Sequence, residues 1–279
     1  MLKQTLALVG LTLSLSANAA IIEAYGSGNH QFFSFDPNNA DLSVIQNQGS
    51  YSMDFSPDGT LYGVDRGTDA VYRINKSGTR TLLATLPYND YGGGFTVSNN
   101  GQYAYWTNRV SLYDSSTALY RMQLFGSTIE SMGVIDGLSA VSDIEFGLDG
   151  TLYAISGVNV SRTGALYTVD IENMTSSQYS PNYLGLNFGD DTIITSLNAT
   201  SDGKMHMMIR PEDAVGYYMG EIDLTNGQGS IDYSKGVTLD GVRYTAGIDI
   251  AYYSPVPVPA TAWLFISALI GLVGLKRGK

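Results

Sequence analysis

Cysteine is absent from all 279 residues. That excludes disulfide staples, thiolate nucleophiles and cysteine-ligated metal centres, so stability must come from packing. Histidine occurs only as His30 and His206, which leaves little room for a Ser-His pair or a histidine-rich metal site. There is no Gly-x-Ser-x-Gly elbow and no glycine-rich phosphate cradle opening a helix. Charged residues make up only 15% of the chain, with 15 Lys and Arg against 26 Asp and Glu. A formal net charge of -11, with no basic cluster outside the C-terminal tail, excludes nucleic-acid binding, which needs cations to neutralise phosphates. Cations or neutral glycans suit such a chain better.

What is present is turn and strand chemistry. The sequence holds 32 Gly and 20 Tyr, a profile of short strands joined by tight turns, and the expectation is an all-β fold. Both ends have a different character. Met1-Leu2-Lys3, an apolar run over residues 6–15 and Ala17-Asn18-Ala19 form a secretory signal peptide over residues 1–19, with no lipoprotein cysteine. At the other end, residues 254–279 place Ser254-Pro255-Val256-Pro257-Val258-Pro259-Ala260 before an apolar run over 261–275 and the basic end Lys276-Arg277-Gly278-Lys279. Such a run reaches about 24 Å at 1.5 Å per residue, enough to cross a bilayer when the flanking basic side chains snorkel. The positive end puts the C-terminus in the cytoplasm and the rest outside.

This tail resembles the PEP-CTERM family of sorting signals in its VPxPA form, through Val256, Pro257, Val258, Pro259 and Ala260 and the Ala262-Trp263-Leu264-Phe265 helix start. The resemblance implies a Gram-negative protein that passes through the secretion machinery and an inner-membrane-anchored stage. An exosortase would then process it for the cell surface or the extracellular polysaccharide of a biofilm matrix. An uncut tail anchor is the plainer alternative.

Between the signals, residues 20–253 are enough for one domain with a buried core. Four segments share one pattern, an apolar-polar-apolar triplet, a turn with Asp-Gly or Asn-Gly at its tip, and a second strand. The tips are Asp58-Gly59, Asn100-Gly101, Asp149-Gly150 and Asp202-Gly203, dipeptides that accept the positive φ tight hairpin turns demand. A third strand follows each hairpin, and a fourth is visible at Thr81-Leu82-Leu83-Ala84, giving units the size of a propeller blade. Gly247-Ile248-Asp249-Ile250-Ala251 reads as a first strand with nothing after it. Residues 21–25, 31–35 and 42–45 read as second to fourth strands with nothing before them. The expectation is therefore a five-bladed β-propeller closed by pairing of its N- and C-terminal strands, or six blades if residues 173–195 hide another sheet. The phrase Ser56-Pro57-Asp58-Gly59-Thr60-Leu61-Tyr62 resembles the blade phrase of NHL, lactonase and gluconolactonase-like propellers.

Aligning the first strands on their turns puts Asp54, Thr96, Glu145, Asn198 and Asp249 at one position. Ser52, Gly94, Asp143, Ser196 and Gly247 fall two residues earlier. First strands line a propeller's channel, so these sets form two polar rings with four carboxylates. Crowded carboxylates need raised proton affinity or a cation, and oxygen ligands suit Ca²⁺. Asp54, Asp143, Glu145, Asn198 and Asp249 are thus the candidate metal ligands, and a channel Ca²⁺ is also what the lactonase-like resemblance implies. The other reading is that they line a hydrated channel or bond neighbouring backbone amides. His206, among Met205, Met207 and Met208, reads as a packed side chain rather than a base. The leading expectation is a non-enzymatic binding module for polysaccharide, a surface partner or a cation. A Ca²⁺-dependent lactonase or esterase and a purely structural matrix protein are the alternatives.

Overall fold

The computed structural model describes residues 23–49, 52–65, 67–87, 91–111, 114–156, 164–186, 192–212 and 214–255. Residues 1–19, expected as a signal peptide, and the expected sorting motif Val256 to Ala260 with the apolar run after it lie outside these residues. Among the described residues there is no α-helix, and no helix long and apolar enough to cross a membrane.

In chain order the strands are β1 (Glu23–Gly28), β2 (Gln31–Asp36) and β3 (Asp41–Gln46), then β4 (Ser52–Phe55), β5 (Leu61–Asp65), β6 (Ala70–Ile74) and β7 (Arg80–Thr85). Next come β8 (Tyr91–Val97), β9 (Tyr103–Ser111), β10 (Asp114–Gln123) and β11 (Ile129–Ser139). They are followed by β12 (Val141–Phe146), β13 (Leu152–Ser156), β14 (Ala165–Asp170) and β15 (Thr175–Gln178). A 3₁₀ turn at Asn182–Gly185 precedes β16 (Ile193–Ala199), β17 (Met205–Arg210), β18 (Tyr218–Asp223) and β19 (Gln228–Gly236). The short pair β20 (Thr238–Leu239) and β21 (Val242–Arg243) leads to β22 (Asp249–Tyr253).

The strands pair as antiparallel meanders. β4–β7 and β16–β19 are separate four-stranded sheets. The eight-stranded sheet is two meanders, β8–β11 and β12–β15, joined where the long β11 pairs in parallel with β15 at Asp136 and Thr175. The six-stranded sheet runs β21-β20-β3-β2-β1-β22. In it the C-terminal β22 pairs with the N-terminal β1, Ala251 opposite Tyr25, and β20 covers the outer edge of β3. First strands touch in a closed circuit, β4 on β8, β8 on β12, β12 on β16, β16 on β22 and β22 on β4. Closure by joining the chain ends protects edges that would otherwise invite pairing between molecules. Burial follows the radius, because every residue of β4 and β5 is buried whereas most of β7 is not. Residues 173–195 contain, where described, β15, the 3₁₀ turn and the start of β16.

The repeated hairpin turn has a more specific chemistry than its tip dipeptide implies. Gly59, Gly101, Gly150 and Gly203 have φ of 82°, 66°, 84° and 85°, whereas Asp58, Asn100, Asp149 and Asp202 stay at negative φ. Both primed two-residue turns need positive φ at the first central residue, so these are wider turns closed by a left-handed glycine. The Asp or Asn side chain instead ties the turn from within. Asp58 Oδ1 accepts the Thr60 N–H at 2.9 Å and the Ser56 hydroxyl at 2.5 Å, and Asn100, Asp149 and Asp202 accept the equivalent N–H groups of Gln102, Thr151 and Lys204. These bonds hold Asp58 and Asp202 below the usual carboxylate range.

Packing between adjacent meanders supplies the core. Trp106 is fully buried and stacks on Tyr120 at 6.1 Å. Tyr25 stacks on Phe32 at 5.2 Å within its own sheet and leans on Phe55 of β4 in the neighbouring sheet. Tyr62 and Tyr153 are both buried, and Tyr103, at the equivalent strand position, is partly buried.

Candidate functional site

An inner strand of such a ring has one edge without a strand partner, so its N–H groups must find acceptors elsewhere. Here side chains of the preceding first strand supply them. Asp54 Oδ2 accepts Val97 N at 2.6 Å, Glu145 Oε1 accepts Ala199 N at 3.0 Å, and Asn198 Oδ1 accepts Tyr252 N at 3.1 Å. A second tier repeats the pattern. Asp143 Oδ2 accepts Leu197 N at 2.6 Å, Ser196 Oγ accepts Ile250 N at 3.2 Å, and Asp249 Oδ2 accepts Met53 N at 2.5 Å.

This register corrects one placement made from sequence. The Asn198 to Tyr252 bond puts Ala251, not Asp249, at the level of Asp54, Thr96, Glu145 and Asn198. Asp249 belongs with Ser52, Gly94, Asp143 and Ser196. The turn on which the alignment was anchored is missing after β22, so only the inter-strand bonds fix its level. Each tier therefore has two carboxylates and one residue with no polar side chain, Ala251 or Gly94. Where that residue precedes it, the next carboxylate also caps its own strand. Asp54 Oδ1 accepts Phe55 N at 2.6 Å, and Asp143 Oδ1 accepts Ile144 N at 2.9 Å. Gly94 is required there, since a Cβ would lie 2.1 Å from Ile144 N and 2.4 Å from Asp143 Oδ1.

Thr96 makes the unusual contact. Its Oγ1 lies 3.0 Å from both Asp54 Oδ2 and Glu145 Oε2. A hydroxyl has one proton to give, so it cannot serve two ionised carboxylates. One carboxyl of the pair must carry a proton and donate it to Thr96, which donates its own to the other. Burial acts in the same direction. Desolvation pushes Asp54 and Asp249 up to about 7 against the backbone bonds that favour their charged forms, and raises Asp143 and Glu145 well above the carboxylate range. Asp249 adds to the rise at Asp143, and Asp54 to that at Glu145.

The five candidate ligands thus all lie on the inner strands, in two tiers, with their oxygens engaged by backbone and side-chain donors. Among the described residues no three His, Cys, Asp or Glu side chains are grouped to hold a metal ion. Sequence reasoning found these residues and Gly94, but not Ala251, which takes the level it had given to Asp249. His206 is packed edge-on against Tyr252 at 5.6 Å, and burial lowers its proton affinity. An Asp249→Asn variant keeps an oxygen for Met53 N. It is expected to lose no more than about 1 kcal/mol at pH 7, the scale of one hydrogen bond, whereas Asp249→Ala leaves a buried N–H without an acceptor and costs about 1–3 kcal/mol. Urea denaturation of the two variants reads this difference.

β9, β13 and β17 end, and β10, β14 and β18 begin, at one end of the meanders, opposite the Asp-Gly and Asn-Gly turns. Ser254, near the last described residue, is held at the other end, its Oγ 2.7 Å from Ser201 Oγ in the turn before β17.

No family model and no curated protein matches the sequence. Solved structures do match in shape. TolB from Acinetobacter baumannii aligns with a TM-score of 0.51 at 17% identity over 75% of this chain and 51% of TolB, so the chain spans about half of that protein. A protein of unknown function from Bacteroides thetaiotaomicron aligns at 0.55 with 12% identity, covering 85% of this chain and 66% of the other. A chain of a nidogen/laminin complex aligns at 0.53 with 11% identity, covering 83% and 82%. With the closed circuit of first strands, this defines the chain as an all-β protein of the β-propeller class. At these identities the likeness establishes the fold alone.

Proposed function

We propose that this is an exported, exosortase-sorted protein of the Gram-negative cell surface or extracellular matrix, with a five-bladed β-propeller serving as a binding module. Five first strands in the circuit support the blade count. The observation that carries the binding role is the use of the channel carboxylates as inter-blade clamps. Each gives one oxygen to a neighbouring blade, to the N–H groups of Val97, Ala199, Leu197 and Met53, and among the described residues no three acidic or histidine side chains are grouped to hold a metal. Residues 254–279 carry the sorting, and the chain leaves for them at the Asp-Gly end, which leaves the opposite end free for partners.

Two experiments test the two halves of this reading. Fractionation of cells expressing the full chain is expected to find it in the envelope or medium. Deletion of residues 254–279, or Pro257→Ala with Pro259→Ala, should abolish surface retention without blocking export. A full-length chain that stays cytoplasmic overturns the assignment. Calorimetric titration of Ca²⁺ into chelator-stripped protein covering residues 20–253 is expected to give no saturable heat. Saturable heat that disappears in Asp54→Asn, Glu145→Gln, Asp249→Asn protein would replace the clamp by a channel metal and reopen the lactonase or esterase reading.

A further inference from the structure

Where the sheet that joins the chain ends meets β4–β7, the two do not pack flush. A cleft of about 360 Å³ opens between them at the Asp-Gly end, with Tyr25, Phe55, Leu61 and Ile74 in its wall. All four belong to one buried apolar cluster. Protein interiors keep few voids larger than a water molecule, whereas small-ligand sites run from about 300 to 1,000 Å³. Two braces hold this cleft open. On one side the Gly59 turn sits against the Tyr253 ring, which a Cβ there would approach to 3.1 Å, and Tyr253 Oη donates to Pro57 O at 3.4 Å. On the other the β6–β7 turn sits against β2 and β3, where a Cβ on Gly78 would stand 2.4 Å from Gln46 Oε1 and 3.1 Å from Phe32 Cδ1. Ser254 is drawn to Ser201 in the β16–β17 turn, away from this cleft.

The rim is polar and its charges are balanced. Lys76 Nζ pairs with Glu23 Oε1, which uses one proton of the ammonium and one oxygen of the carboxylate. Asn75 Oδ1 accepts Ser77 N at 3.0 Å, Ser77 Oγ at 2.7 Å and Thr79 N at 2.9 Å, which fixes the amide at the rim with its N–H donors outside these bonds. Arg73 borders the cleft too, but it pairs in register with Tyr62, and cross-strand partners share a face, here the one opposite Leu61 and Ile74. A carboxylate, an ammonium and an amide on one rim hold neighbouring hydroxyls by accepting and donating together, and an aromatic wall suits the apolar face of a sugar ring. We propose that this cleft binds a neutral sugar unit of a polysaccharide, its apolar face toward Tyr25 and Phe55 and its hydroxyls on Glu23, Lys76 and Asn75. This rests on the binding-module reading and gives it a ligand class and a place.

The test is calorimetric titration of the full exported chain, in a detergent without a sugar headgroup, with cellobiose, mannobiose and N,N′-diacetylchitobiose. Saturable binding of at least one of them is expected, changing less than about threefold in about 0.5 M salt because the ligand carries no charge to screen. Glu23→Ala should weaken it at least about tenfold, the scale of a lost hydrogen bond to a charged group. Thr79→Trp, from an exposed position at the rim, should fill the cleft and abolish binding. Both variants should keep Tm within a few degrees of the parent, since Lys76 is 73% exposed and the Glu23 pair is screened by water. A Lys204→Ala control, in the exposed pair of another sheet, should bind as the parent does. The site is overturned by absence of saturable binding for all three sugars, by binding that salt abolishes, or by Glu23→Ala and Thr79→Trp proteins that bind like the parent. Binding that survives both variants would displace the site alone, whereas cytoplasmic retention in the fractionation experiment would overturn the matrix reading whatever the titration shows.

Discussion

Lowering the pH from 8 to 5 is expected to raise the melting temperature by roughly 5–10 °C, the reverse of the acid sensitivity common in acidic proteins. The sign follows from the channel carboxylates. Asp54 and Asp249 are raised to about 7 from an ordinary value of 3.8, and Asp143 and Glu145 are raised as well. Between about pH 4 and 7 the folded protein keeps protons that the unfolded chain has released, so folding is favoured by acid. The contribution is complete below the unfolded value and is lost as the pH rises through about 7. A tenfold change in proton affinity is worth about 1.4 kcal/mol, so one such carboxyl loses about 2 kcal/mol between pH 5 and 7.

Other groups oppose this at lower pH. His206 is lowered, so its contribution fades as the pH falls through the ordinary histidine range. The turn aspartates Asp58 and Asp202 are also lowered and lose theirs below about pH 4. The optimum therefore falls near pH 5. Scanning calorimetry from pH 4 to 9 reads the curve. A melting temperature that is flat or rises from pH 5 to 8 would show that the channel carboxyls are ionised in the native protein. Asp54→Asn with Glu145→Gln should flatten the dependence, since the shared proton at Thr96 is then replaced by fixed amide hydrogens.

Asp65→Ala is expected to cost about 3–5 kcal/mol and to lower the melting temperature by about 10 °C. Asp65 Oδ2 pairs with Arg80 Nη1, with side-chain exposures of 7% and 9%, and Arg80 also lies over the Tyr72 ring at 4.7 Å. Asp65 Oδ1 accepts Gly67 N at 2.9 Å, so the carboxylate both neutralises the arginine and shapes the chain after β5. Removing it strands a buried guanidinium, whose uncompensated desolvation is the main cost. Replacing both partners by Asp65→Leu and Arg80→Met should recover much of the loss. Equal losses in the single and double variants would mean that packing, not charge, sets the effect. The exposed pair Lys204 and Glu221 offers the contrast, since water already screens it and Lys204→Ala should change stability by less than about 1 kcal/mol.

The hairpins could be read from sequence because their determinants are local. Glycine at the left-handed turn position, an Asp or Asn one residue before it and alternating apolar flanks act within about ten residues. These set Met53-Asp54-Phe55 against Leu61-Tyr62-Gly63-Val64 in the order found. Closure was also legible, because a lone first strand at one end and three later strands at the other are complementary, and β22 does pair with β1. The level of Asp249, the bridging by Asp54 and Asp143 and the proton shared at Thr96 were not. Each depends on which N–H of a neighbouring blade faces a given side chain. That alignment links residues dozens of positions apart and is set by how whole sheets pack around the axis. The sequence by itself determined the repeating strand unit and the polar character of its inner positions. Tertiary structure decided which of those polar groups are consumed by the fold and which remain for a ligand, because hydrogen-bond partners across blades exist only once the ring has closed.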